Sequence, residues 1–130
     1  MKKIRRLILE VQKAGMPQYI KQTLDISDEG YVKQSMSPMV YLGQMKVYDY
    51  SVDKKDIEEF FSGLDFSKWR ISKQPSSTNF SFSCKILYVD GQLENITGYI
   101  HPQMPDEYQE FDNKILEMIP FIENPWLFTT

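Results

Sequence analysis

The chain has 130 residues, 42% of them hydrophobic, with one cysteine, one histidine and a formal net charge of -3. A chain of this length buries roughly two-thirds of the surface its unfolded form exposes, enough for one domain without covalent or metal staples. One cysteine makes no internal disulfide, one Cys and one His fall short of the about four ligands of a structural zinc site, and mild acidity opposes nonspecific binding to nucleic acid.

The amino terminus, with Lys2, Lys3, Arg5 and Arg6 ahead of Leu7 to Leu9, begins like a signal peptide, but Glu10 stops the apolar run short of the ~7–15 residues an h-region needs. No stretch reaches the ~20 apolar residues of a membrane span. The expectation is therefore a cytoplasmic chain with Cys84 as a reduced thiol. Period-two alternation then predicts a run of strands. Leu7, Leu9 and Val11 share a face of the first, which Ala14-Gly15-Met16-Pro17 breaks. Ile20, Leu24 and Ile26 share a face of the second, and Ser27-Asp28-Glu29-Gly30 turns the chain into a third strand at Tyr31. A fourth carries Val40, Leu42, Met45, Val47 and Tyr48, with Gly43 as a bulge.

A helix follows, with Asp53 as N-cap, Asp56 at N3 and Val52 stapled onto Ile57. Ile57, Phe60, Phe61 and Leu64 form its apolar stripe, Glu58 and Glu59 face water, and Gly63 with Asp65 to Ser67 ends it. Residues 66–75 suggest a short strand around Trp69 and Ile71, closed by Gln74-Pro75-Ser76-Ser77. In the next hairpin, Val89-Asp90-Gly91 fits a three-residue loop with glycine in the left-handed position, pairing positions that sum to 180. Phe80 then faces Ile100, Phe82 faces Gly98 and Cys84 faces Ile96, whereas a two-residue loop would turn Ile96 and Ile100 to the polar side. The last helix opens at Pro105, with Asp106 and Glu107 in its first turn and Tyr108, Phe111, Ile115, Met118 and Ile119 as its stripe, and Pro120 ends it. The reading is one α+β domain over residues 1–130. It has an antiparallel sheet of about six or seven strands and two helices packed on one face, in the order ββββ-α-βββ-α.

The chemistry-bearing residues do not converge. Cys84 and His101 are the one Cys/His combination, and the hairpin register sets Cys84 inside and His101 outside, about four residues or roughly 13 Å apart along the ladder. A dyad needs about 3 Å. Ser76, Ser77, Ser81 and Ser83 stand in no Gly-x-Ser-x-Gly elbow, and the scattered glycines form no phosphate loop. Asp106, Glu107 and Glu110 are close on one helix and could bind a cation, but charged residues on the solvent face of an amphipathic helix are far more often simply hydrated. No cofactor and no metal site is expected.

Two features point to binding. Eight tyrosines occur, and Tyr41, Tyr48, Tyr50, Tyr88 and Tyr99 fall on or beside strands, either as a half-exposed interaction face or at sheet margins with their hydroxyls in water. The tail over residues 120–130, with Phe121, Ile122, Trp126, Leu127 and Phe128, either folds back over the core or docks on a second copy or a partner. The candidate interaction residues are Tyr41, Tyr48, Tyr99, His101, Trp126 and Phe128.

Several elements recur in order: Gly15 after a first strand, the Leu24-x-Ile26 strand with its Gly30 turn, the acidic helix start between Ser51 and Leu64, the Asp90-Gly91 hairpin, and Pro105 opening a last helix. In this spacing the chain resembles a loose set of small, mostly uncharacterised bacterial α+β proteins that includes the emfourin-type metalloprotease inhibitors. Those inhibitors carry a Gly-Gly-Phe-like turn after the first strand, where Met16-Pro17-Gln18 follows Gly15 here, and no functional residue carries over. Size and acidity are similar to those of immunity proteins of toxin systems. The leading expectation is a non-catalytic domain that binds another protein, as an inhibitor or immunity-type protein. The alternatives are a small hydrolase or ligand-binding enzyme using His101 and nearby carboxylates, and a self-associating structural domain.

Overall fold

A computed structural model describes residues 3–12, 19–38, 45–67, 69, 71–74, 80–100 and 105–122. The elements run β1 (Ile4–Gln12), β2 (Tyr19–Ser27), β3 (Tyr31–Pro38), β4 (Lys46–Ser51), α1 (Lys54–Ser62), β5 (Phe80–Tyr88), β6 (Leu93–Ile100) and α2 (Pro105–Met118). The six strands form one antiparallel sheet in the order β4-β3-β2-β1-β5-β6. The first four strands are a meander, and the chain then returns through α1 to lay β5 against the free side of β1. That places β1 at the centre, and its alternation fits the position: Leu7, Leu9 and Val11 are fully buried, opposite Ile26, Leu24 and Gln22 on one side and Ile86, Cys84 and Phe82 on the other.

The β5–β6 hairpin has the expected register, with Phe80 opposite Ile100, Phe82 opposite Gly98 and Cys84 opposite Ile96. Its loop closes through the Tyr88 amide on the Gln92 carbonyl at 2.9 Å, with Gly91 at φ +92°. Among the described residues, no strand forms around Trp69. Residues 71–74 contribute a single bridge, Ser72 to Tyr99, and Lys73 Nζ donates to the Thr97 carbonyl at 2.7 Å. This segment covers part of the outer edge of β6, where an unpaired ladder would invite another chain. It approaches so closely that a Cβ on Gly98 would stand 2.2 Å from Ile71 Cγ2. The strand order is therefore ββββ-α-ββ-α. In β4, Met45 lies just before the strand, and Met45 and Val47 are exposed while Tyr50 is buried; Val40, Leu42 and Gly43 lie outside the described residues.

Both helices begin as the sequence predicts. Asp53 caps α1, its carboxylate accepting from the Lys55 amide at 3.0 Å, and Asp56 occupies the first turn. α2 starts at Pro105, and its chain leaves the helix after Met118. Ile57, Phe60 and Phe61 of α1 and Phe111, Ile115 and Ile119 join the buried side chains of β1, β2 and β5 in one hydrophobic cluster, which also takes in Ile122. Gln34, fully buried among them, accepts a hydrogen bond from the Tyr50 hydroxyl at 2.9 Å, which offsets its desolvation. No helix among the described residues is long and apolar enough to cross a membrane.

Candidate functional site

A cleft of about 180 Å³ opens where the end of α1 meets α2. Two tight turns build it. Gly63 ends α1 with its amide on the Glu59 carbonyl at 3.2 Å, and the Asp65 carboxylate then accepts from the Ser67 amide and hydroxyl at 3.0 and 2.6 Å. The Trp69 amide bonds back to the Phe66 carbonyl at 3.1 Å. These bonds place Phe66 and Trp69 edge to face, 4.9 Å between centroids, and bring Trp69 to 5.4 Å from both Phe82 of β5 and Phe111 of α2. Phe66, Trp69 and Phe111 line the cleft, with Asp65, Glu110 and Lys114 at its rim.

The α1 carbonyls end in the cleft with the partial negative charge of a helix C-terminus, and no basic residue stands in the last turn of α1. α2 supplies the cation instead: Lys114 Nζ donates to the Gly63 carbonyl at 2.8 Å and lies 3.9 Å from Glu110, one turn earlier. Asp65 and Glu110 are the carboxylates that line the cleft, beside the ammonium group of Lys114. Lys114→Met, which keeps the packing stem and removes the charge, is expected to cost about 0.5–1 kcal/mol. Urea midpoints of the two proteins measure it, and an unchanged midpoint would show that the Gly63 contact stabilises nothing.

The tyrosines named from the sequence do not assemble. Tyr48 is half-buried on β4, opposite Gln34 on the inner face and packed on the core, whereas Tyr99 is half-buried on β6 at the other edge and on the outer face, with its backbone bridged to Ser72. The Tyr88 hydroxyl donates to Glu94 at 2.9 Å, and Tyr50 is spent on Gln34. Tyr41, His101, Trp126 and Phe128 lie outside the described residues. The first part of the tail is seen: Ile122 is buried in the core, and Phe121 is exposed with its ring 5.6 Å from Tyr50. Phe66 and Trp69, the residues the sequence reading placed on a strand, line the cleft instead. The signal that finds them is Asp65-x-Ser67 directly after a helix end, a pattern that makes a turn and not a ladder.

Cys84 is fully buried, and burial, followed by the charge of Glu94, pushes its thiol up to about 12. The native protein is therefore expected to leave the thiol unreacted with a chromogenic disulfide reagent at neutral pH, labelling only at the rate of unfolding. Because the folded state holds the proton that the unfolded chain releases near 9, this group's contribution to stability is present below pH 9 and is lost as pH rises towards about 12. Rapid stoichiometric labelling in native buffer would contradict the burial. Among the described residues, no three His, Cys, Asp or Glu side chains stand together as metal ligands. The chain matches no protein-family model, and no curated protein matches it.

Proposed function

We propose that the chain is a non-catalytic cytoplasmic protein-binding domain in which the two helices cover one face of the sheet and the helical side meets the partner. The observation that carries this reading is the cleft with three aromatic side chains in its lining, beside the carboxylates of Asp65 and Glu110 and the ammonium group of Lys114. Aromatic side chains at a partly desolvated hollow are the residues that carry binding energy at protein interfaces, and charged groups at its edge orient a partner of complementary charge. An inhibitor or immunity-type role is the narrowest form of the reading: acidic and aromatic side chains cover the working site of a basic partner.

The test is affinity capture from the native host with three chains: the native one, the helical charge reversal Glu59→Lys with Glu110→Lys, and the sheet-face reversal Lys33→Glu. All three sites are solvent-exposed, so each chain is expected to fold, with thermal melting as the check. A stoichiometric partner held by the native and Lys33→Glu chains and lost from the helical reversal is the expected result. Absence of any stoichiometric partner, or equal retention by all three, overturns the reading.

A further inference from the structure

We propose that the cleft between α1 and α2 takes an arginine side chain of a basic partner segment, a specification of the partner that rests on the protein-binding reading above. Four features of the cleft converge on a planar organic cation. Its lining is aromatic, with Phe66 and Trp69 half-buried and Phe111 buried. Its rim holds the carboxylates of Asp65 and Glu110. It receives the carbonyl end of α1, and it already holds one cation, Lys114, 2.8 Å from the Gly63 carbonyl. An aromatic lining alone would accept any apolar side chain, and an acidic rim alone would accept any cation. Together they favour a guanidinium, which is weakly hydrated, lies flat against aromatic rings and pairs with carboxylates through a fixed fork of donors. Lys114 then acts as a competitor. Its ammonium shares the carbonyl end of α1 and the Glu110 carboxylate with the incoming charge, so the cleft is tuned below its full affinity for a cation.

That competition gives the proposal a sign no neighbouring reading shares. The full chain, labelled with ¹⁵N, is titrated with hexa-arginine and with hexa-lysine at low ionic strength, and binding is read from the Trp69 indole signal and from calorimetry. Hexa-arginine is expected to shift the Trp69 indole and to bind about two- to fivefold tighter than hexa-lysine, the increment of a cation over an aromatic ring at an exposed site. Glu110→Gln is expected to weaken hexa-arginine binding by about two- to fivefold, the effect of one exposed ion pair. Lys114→Met is expected to tighten it at least about twofold. An anion-binding cleft predicts the opposite response to Lys114→Met. Equal binding of the two peptides with an unmoved Trp69 indole, or weaker binding by Lys114→Met, overturns the proposal. If it fails while the helical charge reversal still strips the host partner, only the arginine assignment is wrong; if no host partner exists, the protein-binding reading itself has failed.

Discussion

Phe82→Ala is expected to lower stability by about 3–5 kcal/mol, the range for truncating a fully buried aromatic side chain where the surroundings relax only in part. Phe82 is 2% exposed on β5, opposite Val11 of the central strand and Gly98 of β6, with its ring centroid 5.4 Å from that of Trp69. Gly98 has no side chain with which to fill the space, and Val11 belongs to the central strand, so the void persists. A domain whose whole stability is about 5–15 kcal/mol is left marginal by such a loss. Chemical denaturation followed by far-ultraviolet circular dichroism measures it. Phe82→Leu, which keeps most of the volume, is expected to lose less than about 1.5 kcal/mol. The same pair of variants bears on the cleft: with Phe82 truncated, Trp69 loses one of the rings that hold it, so its indole signal should broaden or move before the sheet unfolds. A Phe82→Ala protein as stable as Phe82→Leu would mean that the ring does not support the core as its burial indicates.

Much of this architecture is readable in the amino-acid order wherever a local rule and burial agree. The alternation of Leu7, Leu9 and Val11, the Asp53 cap, Pro105 at a helix start and the three-residue loop at Gly91 each determine a short stretch of backbone, and each appears where expected. The hairpin register follows because a one-residue slip would move Ile96 off the face it shares with the buried Cys84. The stretch from Phe66 to Gln74 behaves differently. Trp69 and Ile71 alternate like a strand, but the bonds from Ser67 to Asp65 and from Trp69 to Phe66 consume the backbone in turns, and among the described residues of the stretch only Ser72 pairs with the sheet. The cleft was not legible for a related reason: its lining comes from residues 66, 69 and 111, which no period connects, and only the approach of α2 to the end of α1 unites them. Likewise, alternation tells which tyrosines share a strand face but not that β4 and β6 stand at opposite edges, and so it could not show that Tyr48 and Tyr99 are far apart across the sheet.

Gly30→Ala is expected to cost about 2–5 kcal/mol, from two separable causes. Gly30 closes the β2–β3 turn at φ +94°, its amide on the Ser27 carbonyl at 3.1 Å, and an L side chain in the left-handed region costs about 1–2 kcal/mol. The second cause is a neighbour. The Gly30 carbonyl accepts from the Val52 amide at 2.8 Å, which ties the turn to the residue just before the Asp53 cap, and a Cβ on Gly30 would stand 2.4 Å from the Val52 carbonyl oxygen. That oxygen belongs to backbone and cannot swing aside, so the turn and the start of α1 must separate, adding about 1–3 kcal/mol of strain. Gly91 supplies the internal control: it has nearly the same angle, φ +92°, and open space around the missing Cβ. Gly91→Ala should therefore show the conformational cost alone, and asparagine, which tolerates the left-handed region, should recover much of it at Gly91 but little at Gly30. Thermal and urea unfolding of the four variants decide the matter. Equal losses at the two positions would mean that the Val52 contact, and with it the tie between the β2–β3 turn and the cap of α1, is not what requires glycine at position 30.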